Sequence, residues 1–423
     1  MIKKTRRIYI VILVFVLLQG LYAQKLLIPL DLKQTDHLKA YGVAYWALER
    51  GMNVEWLLNF RGGSFLIGRD EGLIRQCRIR GVLYQTLSGA ETASIFETIE
   101  NANMEVVLLE KAPKIAVYAP PNKQPWDDAV MLGLTYAEIP YEVLWDEEVL
   151  KGKLSRYDWL HLHHEDFTGQ YGKFWGSYRN ANWYIQQQHF FESEAKRLGF
   201  KKVSHLKLQV ARIIKKYVAD GGFLFAMCSA TDSYDIALAA EQTDICDVVF
   251  DGDPVDPDYK EKLDFSGTLA FKNFTLIVHP AVYEFSDIDV TPQNRPSLQT
   301  GGDDYFSLFE FSAKYDVVPT MLTQNHVSVI HNFMGQTTGY RKSLIKESVV
   351  IMAEKEGTGE VKYIHGNVGR GTFTFLGGHD PEDYQHFVGD PPTDLALYKH
   401  SPGYRLILNN VLFPAAKKKK QKT

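Results

Sequence analysis

The sequence predicts an α/β fold, a parallel sheet with helices on both faces, preceded by a small α/β unit and carrying a β-rich insertion. Three observations carry this. After Pro113, short apolar runs alternate with segments of helical spacing, the order that builds parallel sheets. The stretch Gly221 to Asp232 runs from apolar Phe223–Met227 straight into Ser229, Thr231 and Asp232, as a buried strand does when it enters a helix. A hydrophobic content of 45% over 423 residues is enough for more than one core.

At the amino end, Lys3, Lys4, Arg6 and Arg7 precede an apolar run from Ile8 to Leu18, and Leu21-Tyr22-Ala23 leads to Gln24. That is the pattern of a secretory signal peptide over residues 1–23, which predicts export to the periplasm or the extracellular space. An apolar helix of that length spans roughly 16 Å against about 30 Å of hydrocarbon, so no stable membrane span is expected after cleavage. Cleavage removes those four positive charges and no acidic one, so the formal charge of −4 becomes −8. The basic tail at 415–423, with Lys417 to Lys420 and Lys422, is too short and too terminal to make a nucleic-acid face. Three cysteines, Cys77, Cys228 and Cys246, are too few for a disulfide framework and leave at least one free thiol.

Residues 24–112 read as the small α/β unit. Lys25 to Leu30 is a strand, and Thr35 or Asp36 caps a helix through Leu38, Tyr41, Tyr45 and Leu48. Val54, Trp56 and Leu58 alternate as a strand, Arg61-Gly62-Gly63 turns the chain into Ser64–Ile67, and Val106–Leu109 closes the unit. Residues 113–414 form the larger domain. Its expected strands are Lys114–Ala119, Tyr141–Trp145, Tyr157–His163 and Phe223–Met227, with helices at Trp126–Ala137, Glu147–Gly152 and Leu206–Val218. From about 246 to 346 the reading is the β-rich elaboration. Ser348–Ala353, Val361–Ile364 and Gly371–Leu376 are strands, the last two turning at Gly366-Asn367, and Tyr404–Leu412 is the closing helix.

Three polar clusters fall at expected carboxyl ends of strands, where open α/β sheets bind their ligands. They are Cys228, the run His163-His164-Glu165-Asp166, and the run His379-Asp380-Pro381-Glu382. A thiol on a strand-to-helix elbow faces the N–H groups of the next helix, which favour a thiolate, and a nucleophilic cysteine also needs a base and a group that orients the base. His379, oriented by Glu382 or Asp380, fits that role. Cys228 also fits a small buried hydrophobe at the end of a core strand. A metal reading competes, in which His161, His163, His164, Glu165 and Asp166 supply ligands with His379 and Asp380; His161 and His163 share one strand face. The aromatic run Tyr171, Phe174, Trp175, Tyr178, Trp183 and Tyr184 suits sugar rings or a peptide, or a lid helix packed on its own domain.

The cysteine elbow, together with Gly369-Arg370-Gly371 before a strand ending Gly377-Gly378-His379-Asp380, resembles the class I glutamine amidotransferase-like superfamily, and its ThuA-like branch in particular. The stretch from Lys114 through His163-His164-Glu165-Asp166-Phe167 to Cys228 is similar to exported Bacteroidetes proteins labelled asparagine synthetase B. The resemblance implies a flavodoxin-like sheet, Cys228 as nucleophile, His379 as base, a carboxylate that orients it, and an oxyanion hole from the segment Gly169, Gln170 and Gly172. Ala226 and Ala230 stand where glycines are usual, and Glu382 lies three residues beyond His379. No cysteine follows Met1 or Ala23, and no Ser-Gly-Gly-x-Asp-Ser loop is present, so the chain lacks the marks of a synthetase. The expected function is cysteine-dependent hydrolysis or transfer at an amide bond of a small amide, peptide or sugar-like substrate. This reading needs no cofactor and assigns no metal ligand; His163, His164 and Glu165 then line the substrate pocket. The alternatives are a non-catalytic sugar or cell-wall-fragment binder, glutamine hydrolysis supplying ammonia, and a metal-dependent hydrolase.

Overall fold

The computed structural model describes residues 24–290, 305–331, 335–383 and 387–416. The expected signal peptide and the lysines of the basic tail lie outside them. The chain is a mixed α/β protein with two sheets. The first contains β1 (Lys25–Ile28), β2 (Val54–Leu58), β3 (Ser64–Gly68), β4 (Gln85–Leu87) and β5 (Glu105–Leu109) in the antiparallel order β4-β1-β3-β2-β5. Its helices are α1 (His37–Glu49), α2 (Glu71–Arg80) and α3 (Gly89–Asn101), capped by Asp36, Asp70 and Ser88, whose side chains accept first-turn N–H groups.

The second sheet begins with β6 (Ile115–Tyr118), β7 (Glu142–Leu144), β8 (Trp159–Leu162) and β9 (Phe223–Met227). It continues with β10 (Tyr305–Leu308), β11 (Val329–His331), β12 (Tyr340–Arg341), β13 (Val350–Lys355), β14 (Glu360–Val368) and β15 (Gly371–Leu376). The order is β11-β10-β13-β14-β15-β9-β8-β6-β7, with β12 on β14. Strands β7, β6, β8, β9 and β15 run parallel, so their carboxyl ends share one edge. The rest pair antiparallel, so the sheet that was expected as parallel is mixed. The connecting helices are α4 (Ala129–Ala137), α5 (Asn182–Arg197), α6 (Val203–Ala219), α7 (Ser229–Ala239) and α8 (Pro402–Leu412).

Two further expectations are corrected. The region 246–346 is not β-rich: among its described residues are only the short β10, β11 and β12, with helical turns at Val248–Asp251, Tyr259–Lys262 and Val317–Thr323. Its other apolar runs meet partners through isolated bridges, such as Phe271 with Ile345. The hairpin before His379 turns at Gly369-Arg370 rather than at Gly366-Asn367. Gly366 stays in the strand opposite Phe373, whose ring occupies the space 2.5 Å from where a Cβ would stand.

Helix α8 joins the two sheets. Ser401 caps it and Pro402 starts it, as a strong helix beginning requires. Arg405, Asn409 and Asn410 are fully buried on this otherwise apolar helix. Arg405 donates to the carbonyls of Leu30 (2.9 Å) and Gly62 and to Tyr41 Oη (3.2 Å) of the first unit. Asn409 accepts from Tyr41 and donates to the Gln324 carbonyl at 2.6 Å; Asn410 donates to Tyr363 Oη of β14. One continuous core therefore runs from Tyr41, Trp56 and Phe65 through Leu406 and Ile407 to Phe225 and Met227. Among the described residues no helix is long and apolar enough to cross a membrane.

Two outcomes follow for stability. Arg405→Leu leaves buried carbonyls without donors and should lower unfolding stability by about 3 kcal/mol, read from urea transitions. The second concerns His37 and His326, whose rings are 4.5 Å apart beside Arg405. Burial, with the charge of Arg405, pushes His37 down to about 3 and His326 down to about 4. The unfolded chain protonates both near about 6.5. Their contribution is therefore intact above that value and is lost as pH falls toward about 4, because the unfolded state binds more protons. Urea midpoints should decline from pH about 7.5 to about 5, less steeply in His37→Gln.

Candidate functional site

The shared carboxyl edge of the parallel strands collects the side chains capable of chemistry. Asp128 caps α4 after β6, accepting from Met131 N–H at 2.9 Å. His163 and His164 follow β8, Cys228 ends β9, and His379 and Asp380 follow β15. Because β9 lies between β8 and β15, the two histidine-bearing strand ends flank the cysteine.

The histidines meet. One ring nitrogen from each of His163, His164 and His379 lies within 4.8 Å of the others. Ring centroids are 4.4 Å apart for His163 and His379, 4.6 Å for His163 and His164, and 5.4 Å for His164 and His379, whose planes are nearly parallel. Below them, Asp128 Oδ1 is 3.2 Å from His163 Nδ1 and 3.5 Å from His161 Nε2. Burial alone would raise the Asp128 carboxyl, but the two imidazoles outweigh it and hold it well below the usual range. His161 also faces the Phe225 carbonyl through Nδ1 at 3.0 Å.

The backbone around this cluster is tied down. His163 donates its N–H to Glu165 (2.9 Å), and its carbonyl accepts from Ala230 (3.1 Å). Gly378, next to His379, accepts from Cys228 N–H (3.2 Å) and donates to Thr337 (2.9 Å). Gly335 sits so close to His379 that a Cβ would stand 2.8 Å from the histidine's own, at a φ of +137°. His164 is the half-buried member of the three, and His163 and His379 are buried. It lines a cleft of about 700 Å³ with Pro120, Trp126, Asp127, Asp128 and Tyr136, and Trp126 meets its ring edge-on at 5.3 Å.

Cys228 has the strained backbone of an elbow, φ 50° and ψ −142°. Its side chain, however, is buried, and Sγ donates to the Gln336 carbonyl at 2.8 Å. Burial, aided by Asp232 and Asp289, pushes the thiol up to about 12, the opposite of activation. Asp232 itself is held well above the usual carboxylate range by burial and by Asp289.

The expected oxyanion segment is committed elsewhere. Gly172 N–H goes to Asp166 (3.0 Å) and Gln170 N–H to Thr168 Oγ1 (3.4 Å), while Gly169 packs on the start of α6 against Ser204. Those amides of Gln170 and Gly172 thus already have acceptors, because Asp166 and Thr168 organise the loop internally. Asp380 accepts from Tyr404 Oη (2.7 Å) and Glu382 N–H (2.8 Å), which makes it an anchor to α8. Glu382 is half-buried, and burial raises its carboxyl. Glu165 is buried, and burial, with the charge of Asp128, pushes it up to about 8. The aromatic run packs on itself: Phe174, Tyr178 and Trp183 lie against one another, and Phe174 and Trp183 also against Trp126.

Asp128 is the residue that reading the sequence missed. Its signal was Asp127-Asp128 just ahead of an apolar helical run, a helix cap at the carboxyl end of a strand.

No family model matches the chain, and no curated protein matches it. Among solved structures it is similar to a cytoplasmic protein from Salmonella typhimurium LT2, at 11% identity and a TM-score of 0.34, over 72% of this chain and 100% of that one. A second cytoplasmic protein from Salmonella typhimurium gives 10% and 0.32, over 72% and 100%. A beta-galactosidase from Bacillus circulans sp. alkalophilus gives 10% and 0.25, over 79% and 36%. Likenesses this distant assign neither fold nor activity.

The sulfur environment gives a direct test. In the folded protein, iodoacetamide should leave Cys228 unlabelled from pH about 5 to about 9, by peptide mass spectrometry, and label it readily once urea unfolds the chain. A labelling rate that titrates well below about 8.5 would instead mark an activated thiolate.

Proposed function

We propose that the chain is a hydrolase of small polar substrates on an amidotransferase-like, flavodoxin-like scaffold, with imidazoles rather than a thiolate as its reacting groups. The observation that carries this is the gathering of His163, His164 and His379 at the parallel strand ends, with His164 open to the cleft. The scaffold reading is supported by the parallel order β7-β6-β8-β9-β15 and by the elbow between β9 and α7. The leader pattern of residues 1–23 supports an exported protein, where hydrolysis with water needs no nucleotide.

In this reading a neutral imidazole takes a proton from water, the water oxygen attacks the carbonyl carbon of a bound amide or ester, and the imidazolium returns the proton to the leaving amine or alcohol. Trp126 and the cleft wall hold the substrate's apolar face, and Asp128 holds His163 in place. Cysteine attack is the second reading, favoured by the positive φ of Cys228. It requires the Gln336 carbonyl to leave the sulfur and the thiol to lose its proton beside Asp232 and Asp289.

The two readings separate on the substrates that a screen of chromogenic esters, anilides and small amides returns. Cys228→Ala should keep turnover within about threefold, while His379→Ala should lose about 100-fold or more in kcat/KM. Loss of turnover in Cys228→Ala, with an unchanged melting temperature, would move the chemistry to the thiol.

A further inference from the structure

Going beyond the hydrolytic reading, we propose that His163, His164 and His379 form a binding site for one first-row divalent cation, zinc being the best fit, with Asp128 as the positioning residue. Three nitrogens within 4.8 Å of one another are already close to a coordination shell. A tetrahedral ion about 2.1 Å from each nitrogen sets the nitrogens roughly 3.4 Å apart, a change that small rotations of the rings supply.

The site is built on fixed parts. His163 and His164 follow one strand and His379 another, and the hydrogen bonds from Ala230 to His163 and from Cys228 to Gly378 lock both strand ends to the elbow between them. An all-imidazole set suits zinc, copper, nickel or iron, whereas magnesium and calcium prefer oxygen ligands. Asp128 supplies what such a site needs behind its ligands. An N–H at His163 Nδ1 donated to Asp128, 3.2 Å away, leaves the lone pair on Nε2. Three protein ligands leave a fourth position, and His164 turns that side of the cluster toward the 700 Å³ cleft.

The other groupings of ligand-type residues do not compete. Asp244, Cys246 and Asp251 converge, but Lys202 Nζ already pairs with Asp244 at 2.5 Å and Asp251 at 3.0 Å, and Cys246 Sγ donates to the Thr168 carbonyl at 3.3 Å. Asp128, His161 and His163 share His163 with the proposed site and form its support.

This proposal uses the same histidines as the hydrolytic reading, but an imidazole that gives its lone pair to the ion cannot also take a proton from water, so the site is an alternative use of the cluster and each reading can fail alone. The test is titration of the chelator-treated full chain with Zn²⁺ by calorimetry, and with Co²⁺ by its visible absorption. The expected result is one ion per chain, with the intense visible bands of a four-coordinate Co²⁺ centre. His164→Ala and His379→Ala should each weaken Zn²⁺ binding at least 100-fold, whereas the exposed His189→Ala should not change it. Asp128→Asn, which keeps the helix cap, should weaken binding by about 10- to 100-fold at an unchanged melting temperature. If His379→Ala fails to fold, the half-buried His164→Ala carries the test. Absence of saturable Zn²⁺ binding in the unaltered chain, or binding indifferent to both histidine substitutions, overturns the site. Saturable binding without turnover on any screened substrate leaves the site standing and removes the hydrolytic reading.

Discussion

A buried guanidinium is the constraint on which the assembly of this chain depends. Arg405 has no solvent exposure, and a charge removed from water is tolerated only where hydrogen bonds replace its hydration. Those bonds reach Leu30, Gly62 and Tyr41 in the first unit, and also His326, although Arg405 belongs to the last helix. The first sheet, α1 and α8 must therefore be in place together. The helix then transmits this placement. One residue earlier, Tyr404 holds Asp380, and Asp380 adjoins His379, so the imidazole at the end of β15 is indexed to the same buried cation.

The second organising feature is the direction of the strands. In a parallel set every carboxyl end opens on one edge, so residues distant in sequence arrive at one place without any special loop. His163 and His379 are brought together because β8 and β15 both pair with β9. The elbow at Cys228 acts as the pivot between them: its N–H goes to Gly378 and its carbonyl receives Thr231. A non-glycine residue at φ 50° is strained, and strain of this kind persists where the surroundings fix it from both sides. Here it fixes the spacing of two histidine-bearing strand ends.

Local features were legible in the sequence to the degree that their causes were local. The cap at Asp36, the strand alternation at Val54, Trp56 and Leu58, and the passage from Phe223–Met227 into α7 depend on neighbours in the chain, and each is where its pattern put it. What depended on distant partners was not legible. That β15 pairs with β9 is decided by distant pairing, not by the apolar pattern of either strand. Of the apolar runs between 246 and 346, only β10, β11 and β12 find ladder partners among the described residues. The histidine run and His379 were visible as candidates; the carboxylate beneath them, Asp128, was hidden in a helix cap.

The state of the sulfur shows why an elbow motif alone does not determine chemistry. A thiolate needs positive charge or donors near it, and its pKa records the balance. At Cys228 the elbow geometry is complete, yet Gln336, which lies 108 residues away in sequence, presents a carbonyl to the thiol. Asp232 and Asp289 place two carboxyl groups where a thiolate would need cations. The same edge puts imidazoles and one deeply anionic carboxylate on the side that opens to the cleft. The strand order sets the positions, and the charges around each position select which of them can react. That balance of charge is the ground for proposing the histidines, and not the buried thiol, as the reacting groups of this edge.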